Sequence, residues 1–583
     1  MNLKIRSIVV VAVLLLFTGS ATFAASKVAI TFDKYHGYTG TVDYLKAVNK
    51  AYPNITDLVE IGRSTQNRPI YVLAITNKKT GTTLDLEKTL VYERKLEVPN
   101  PPKQPAEQGK AGYLITGCTH GNEVTGNEVC LYFIDQMVSG YGTDPFITNF
   151  IDTKVAYVIP AINVDGLYNS VQLGAPQRVN SMNQEGTPFR QDVNRDGKYS
   201  QVRYKNPEGG YKIDPANPLR MVRIGRDENI PADQRYSVIN ESLPDAGIDL
   251  NRNFPEAWWN TQTLMPAGSG DYATSAIETQ IMCEFIVSHP NIFMVNEYHT
   301  QGGRVFRPLA SAADRSVKPR DIAVYDQIIG KKYQELMNAD KLDDIWRSIY
   351  NHSNTVNPGL FLDWLYVHNG IYSMLTELWN PAQEVPSLKG LSGDEYQNAL
   401  INYAKSQGMY LDWAKAKHPT YGDCEVGGWV ALASNNAYPG ENLLTICKRQ
   451  FEFDTYCMSL MPDMAIENVK VETISRVGNT RVLSITADIV NKGFLPTSPQ
   501  GTDGVALCRG DVAWLIGASN KITILSSNAN EKLGNLFGTG TIPGFSGNNK
   551  STVKWTVAVE GNEPLKIVAS SLKGGTVVQN VKY

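Results

Sequence analysis

Two apolar runs that each end in reactive side chains constrain most strongly how this chain can fold. Tyr113-Leu114-Ile115-Thr116-Gly117 leads into Thr119-His120-Gly121-Asn122-Glu123, and Ile292-Phe293-Met294-Val295-Asn296-Glu297-Tyr298 ends at His299. Short, nearly continuous apolar runs of this kind predict strands buried on both faces. Parallel strands of that type need helical crossovers, so strands and helices should alternate around them. Residues 40–52 and 124–137 carry apolar groups at helical spacing, while 58–62, 70–75, 155–162 and 372–379 read as strands. Ser275 and Glu278 form a capping box that opens a helix to about residue 288, and 395–416 reads as one long helix. The expected fold class is α/β, with a mixed, mostly buried sheet and helices on both faces. Reactive residues at strand ends suit the crevice such folds provide.

Two histidines and one glutamate delivered to strand ends can hold a catalytic zinc ion, because three protein ligands leave a fourth position open. The HxxE spacing of His120 and Glu123 is common by itself. Its weight comes from the motifs that follow in order, Ile248-Asp249-Leu250-Asn251-Arg252-Asn253-Phe254 and Leu375-Thr376-Glu377-Leu378. This ordered set resembles the zinc metallocarboxypeptidases of the carboxypeptidase A type, over roughly residues 35–415.

The resemblance implies roles. His120, Glu123 and His299 would hold one Zn2+, and Asp249 would orient a ligand histidine from behind. Glu377, among the apolar Leu375, Leu378 and Trp379, would be the general base. Asn251 and Arg252 would clamp the free carboxylate of a peptide, a task suited to the planar guanidinium fork. Arg178, with Arg190 as the alternative, would face the developing oxyanion. Tyr350 would close over substrate. Leu362, just before Asp363-Trp364, would tune the side-chain pocket toward apolar or aromatic ends over basic ones. Asn122 departs from the Arg that many members carry. The implied activity is an exported zinc-dependent carboxypeptidase acting on peptides with a free C-terminus. The alternatives are a murein stem-peptide hydrolase of the same fold and a catalytically inert peptide- or glycan-binding protein, although an inert binder has no need of the full set.

At 583 residues the chain exceeds one ordinary domain. Residues 1–25 read as a signal peptide: Lys4 and Arg6 precede an apolar stretch at 8–17, then Ala21-Thr22-Phe23-Ala24-Ala25 offers a cleavage site. A secreted or periplasmic location follows as an expectation, with no transmembrane segment after the signal is removed. Residues 26–417 are expected to form the catalytic domain with a long insertion at 167–248, 418–461 a bridging segment, and 462–583 a small all-β sandwich. In the last, Leu483, Ile485, Ala487 and Ile489 alternate with mostly polar residues, as do Val553, Trp555, Val557 and Val559. Within the insertion, Asp192-Val193-Asn194-Arg195-Asp196-Gly197 matches the first half of a calcium loop, making Asp192, Asn194 and Asp196 a candidate Ca2+ site. The twelfth position, however, is Arg203 rather than Glu. A net charge of -3 implies no nucleic-acid partner. Of seven cysteines, Cys118, Cys130 and Cys283 read as core residues, and one disulfide among Cys424, Cys447 and Cys457 stays open.

Overall fold

The structure, a computed structural model, describes residues 26–81, 109–180, 193–194, 199–239, 247–259, 268–502, 505, 508–517, 519–526 and 530–583. The proposed signal peptide lies outside them.

The half of the chain before Met464 is built on an eight-stranded mixed sheet. Its strands are β1 (Thr56–Arg63), β2 (Pro69–Ile75), β3 (Ala111–Thr116), β4 (Lys154–Ile159), β9 (Ile292–Thr300), β10 (Arg304–Arg307), β11 (Trp346–Ser348) and β12 (Tyr372–Leu378), in the order β1-β2-β4-β3-β9-β12-β10-β11. The central β4, β3, β9 and β12 run parallel, so their C-terminal ends open on one side. Both predicted apolar runs are buried throughout. Alternate side chains serve two cores. Tyr113 and Ile115 face helices α1 (Tyr38–Ala51) and α2 (Thr125–Gly140), whereas Leu114 and Val295 face α3 (Ile277–Ser288) and α4 (Phe361–Asn369).

Two local expectations change. No capping box forms at α3: its N-cap is Ala276, and Glu278 turns inward to accept from the Thr65 amide and Asn180 Nδ2. The predicted helix at 395–416 stops short. Helix α5 (Gly393–Ser406) ends before Gly408, whose left-handed φ of +70° breaks it, and Tyr410–His418 forms strand β13 paired with β14 (Gly422–Val430). Within the insertion, the described residues 199–239 carry four strands. Its strands β5 (Ser200–Lys205), β6 (Tyr211–Asp214), β7 (Asn217–Arg223) and β8 (Tyr236–Ile239) join that hairpin in a six-stranded sheet, β13-β14-β5-β8-β6-β7. Residues expected to bridge the domains therefore supply β14 and helix α6 (Glu441–Ser459). Helix α6 buries Ile446, Cys447, Phe453 and Cys457 in the α1–α2 core.

Calcium finds no support. Asp192 and Asp196 lie outside the described residues, Asn194 is exposed, and Arg203 is committed to Glu425 at 2.9 Å and to the Trp413 ring. All seven cysteines are unbridged, so no disulfide joins Cys424, Cys447 and Cys457. No helix among the described residues is long and apolar enough to cross a membrane.

From Met464 onward two four-stranded antiparallel sheets pack face to face. The first comprises Met464–Val477, Thr480–Asn491, Lys550–Glu560 and Ile522–Ile524; the second Asn530–Gly534, Asp511–Gly517, Leu565–Ser571 and Gly575–Val581. Their alternating Leu483, Ile485, Ala487, Ile489, Val553, Trp555, Val557 and Val559 form a core with Leu515 and Ile567. Buried charges tie this sandwich to the α/β half. The Asp321 carboxylate accepts from the Tyr366 and Tyr372 hydroxyls on one side and from the Gln500 and Gly501 amides on the other. Lys573 reaches back to the Ile292 carbonyl, and Lys154 pairs with Asp463.

Candidate metal centre and active-site cleft

The turn leaving β3 carries His120 and Glu123. Gly121 between them is dictated by contact, because a Cβ there would stand 2.3 Å from Gly166 Cα. The Gly121 amide donates to the Arg178 carbonyl, which ties the turn to the segment bearing Arg178. His299 arrives on β9. The parallel register sets it beside Glu377 on β12, and the antiparallel register sets Arg304 of β10 on the other side of Glu377.

His120, Glu123 and His299 are buried, with one ligand atom from each lying within 4.8 Å of the others. His120 Nδ1 is 2.9 Å from Glu123 Oε1, His299 Nδ1 is 3.0 Å from Glu123 Oε2, and the two Nδ1 atoms are 3.1 Å apart. Each imidazole is held from behind: His120 Nε2 lies 3.0 Å from Asp249 Oδ1, and His299 Nε2 lies 2.9 Å from Glu297 Oε1. A carboxylate behind each ring fixes the proton on Nε2 and turns the Nδ1 lone pair inward. Two lone pairs and a carboxylate converging on one point fit a zinc ion.

Glu377 keeps one face on the cleft, but its Oε2 is buried and has no hydrogen-bond partner among the described residues. Burial pushes its carboxyl up to about 7. The Glu123 charge adds to the rise, and His299, His120 and Arg178 pull it back. Arg178 donates to Glu123 Oε1 at 2.9 Å and to Asp249 Oδ2 at 3.3 Å, and it also lines the cleft. Asp249 caps the 3-10 turn Leu250–Arg252 by accepting from the Asn251 amide. The Asn251 side-chain oxygen accepts from the Phe361 amide, which leaves its Nδ2 in the cleft wall 3.2 Å from His299 Nε2. Arg252 also lines the cleft. Its Nη1 is spent on the Asn251 carbonyl, and its Nε is buried without a partner among the described residues.

Two residues lie elsewhere. Tyr350 is half-buried on the short helix Ile349–Ser353, and it is Ile349, His352 and Ser353 of that helix that line the cleft. Leu362 is wholly buried behind the wall, in a cluster with Phe306, Ala310, Leu360 and Leu375. Of these, Phe306, Leu360 and Leu375 face the cleft. Arg190 lies outside the described residues. Sequence reasoning missed Glu297, Arg304 and His352. Glu297 had a signal, since it stands two residues before His299 and so shares its face of the strand.

Residues 41–397 match the family model described as zinc carboxypeptidase, Peptidase_M14. The chain belongs to the zinc carboxypeptidase family. This is a family of metallopeptidases whose description implies zinc, and the His-Glu-His group described above could hold such an ion. Over 139 residues the chain is 31% identical to carboxypeptidase M of Mus musculus, covering 24% of this chain and 26% of that protein. It is 28% identical over 141 residues to a zinc carboxypeptidase of Saccharothrix mutabilis subsp. capreolus, covering 24% and 27%. The matched stretch thus spans about a quarter of these curated relatives. The crystal structure of thrombin activatable fibrinolysis inhibitor aligns with a TM-score of 0.44 and 15% identity over 73% of this chain and 74% of that one. Residues 463–582 match a domain of unknown function, DUF8731.

Proposed function

We propose that this zinc carboxypeptidase family member hydrolyses the C-terminal residue of peptides after export from the cytoplasm. The observation that carries the reading is the gathering of His120, His299, Glu377, Arg178 and Arg252 around one cleft at the ends of the parallel strands, with Glu123 buried beneath them. Export rests on the leader-like pattern of residues 1–25.

A zinc ion held by His120, Glu123 and His299 would supply Lewis acidity toward the scissile carbonyl. Glu377 takes a proton from the attacking water and returns it to the leaving amine. A carboxyl raised toward neutrality serves both transfers. Arg178 places positive charge beside the carbonyl oxygen as that oxygen becomes anionic. Arg252 holds the terminal carboxylate, which restricts cleavage to chain ends. The last side chain rests against Phe306, Leu360 and Leu375. That wall supports acceptance of apolar or aromatic ends over basic ones.

The test compares matched peptides with free and amidated C-termini, using the parent and Arg252→Ala. The parent should cleave only the free form at an appreciable rate. Arg252→Ala should raise KM by about 30-fold or more, as expected for loss of a charge-assisted contact of about 2 kcal/mol. Equal cleavage of free and amidated peptides would turn the reading toward an endopeptidase.

A further inference from the structure

A third cation stands in this cleft that neither the metal centre nor the terminal clamp uses. Arg304 begins β10, lies across from Glu377 in the antiparallel register and lines the cleft. Its Nη1 donates to His352 Nδ1 at 3.0 Å, and the His352 ring rests against Phe306 with centroids 5.3 Å apart. The guanidinium is thereby held at the apolar wall made by Phe306, Leu360 and Leu375.

Among the described residues no carboxylate lies within ion-pair distance of Arg304. Arg178, by contrast, is answered by Glu123 and Asp249. Half-burial, and then the nearby Arg347, lower the Arg304 pKa, although the guanidinium stays charged. Glu377 and Asp344 offset this only from a distance. His352 supplies no counter-charge, because an imidazole is either neutral or cationic, and burial with Arg304 and Arg347 lowers its pKa. Among the described residues, Glu377 is the one carboxylate lining the cleft. An apolar slot with an under-compensated guanidinium beside it matches a side chain that has an aliphatic stem and an anionic end.

We propose that Arg304 makes the side-chain pocket selective for a carboxylate, so that peptides ending in glutamate are preferred over their uncharged isosteres. The glutamate methylenes lie along Phe306 and Leu375, and its carboxylate meets Arg304. This rests on the carboxypeptidase reading above and names a substrate class for it.

The experiment measures kcat/KM for N-blocked peptides that differ only in the last residue, Glu, Gln, Phe or Lys, with zinc-loaded parent and with Arg304→Gln. Glutamine has the shape of glutamate without its charge. In the parent, Glu should exceed Gln by at least about tenfold, and Lys should be the slowest. In Arg304→Gln the Glu-to-Gln ratio should fall close to one. Added salt should raise KM for the Glu peptide more than for the Gln peptide, a response that a purely structural role for Arg304 would not produce. A parent that cleaves Gln as fast as Glu, or a ratio that survives in Arg304→Gln, overturns the proposal. Cleavage of Phe ends without preference for Glu overturns it alone and leaves the carboxypeptidase reading intact. Failure to cleave any free end overturns both.

Discussion

Replacing Asp249 probes how much of the metal centre is made by residues that never touch the ion. Its Oδ1 faces His120 Nε2 at 3.0 Å and also accepts from the Asn251 amide, while Oδ2 takes Arg178. In Asp249→Asn the amide oxygen can still meet His120, but its NH2 then opposes the donors of Arg178. In Asp249→Ala nothing holds His120 from behind, and its ring is free to turn or change tautomer. Losing such a supporting contact typically weakens metal binding 10- to 100-fold, or about 1.4 to 2.7 kcal/mol. The asparagine variant should fall near the lower bound and the alanine variant near the upper. Zinc dissociation constants from competition with a chelating dye would show this, with circular dichroism confirming that each variant is folded. At saturating zinc both variants should still turn over more slowly, because Arg178 has lost one of its two anchors. A dissociation constant for Asp249→Ala within about threefold of the parent would refute the reasoning.

Glu377→Gln should keep its zinc and lose several orders of magnitude in kcat, and a loss below about tenfold would assign the base elsewhere. Since only the ionised carboxylate accepts a proton, kcat/KM of the parent should rise with pH on an acid limb at or below about 7, with bound zinc drawing it lower; a fall over that range would contradict the assignment. Asp454, buried beneath β9 and bonded by Tyr298, Asn296 and Tyr113, is pushed by burial from 3.8 to about 6. The folded state therefore holds this proton more tightly than the unfolded state, and the associated stability is full below about 4 and lost as pH rises through 6. At 1.36 kcal/mol per unit this amounts to about 3 kcal/mol, so denaturant titrations should show Asp454→Asn gaining on the parent by that order between pH 4 and pH 7, and a constant gap would disprove the linkage. Asp321→Ala strands two hydroxyls and two amides at the joint between the halves and should cost about 3 kcal/mol of unfolding free energy; a variant as stable as the parent would show that the joint contributes little.

The metal centre is legible in the sequence because each ligand is anchored to a strand end, and an apolar run followed by a reactive residue betrays that position. Asp249, Asn251 and Arg252 are legible for a related reason, since three neighbours on one tight turn must arrive together. The side-chain pocket is far less legible. Its wall combines Phe306 and Arg304 from β10, Leu375 from β12 and His352 from a short helix. No local pattern records that these meet, so Leu362 and Tyr350 are near the right place in the chain while other side chains face the cleft. Helix α5 shows the same limit. Trp413-Ala414-Lys415-Ala416-Lys417 has a helical composition, but it lies beyond Gly408 and finds a strand partner in residues 422–430, so long-range pairing overrides local preference.

The joint formed by Asp321 and Lys573 bears on where this chain can be cut. A boundary near residue 462 looks clean in composition, with α/β on one side and all-β on the other. The two groups belong to opposite halves, and each is answered across the divide: Asp321 by the amides of Gln500 and Gly501, Lys573 by a carbonyl of the central strand β9. Separating the halves would leave a carboxylate and an ammonium facing surfaces shaped to enclose them. The sandwich is thus fastened as part of the wall behind the catalytic sheet rather than carried on a tether, and grafting it onto another enzyme, or expressing the peptidase without it, would mean redesigning that wall.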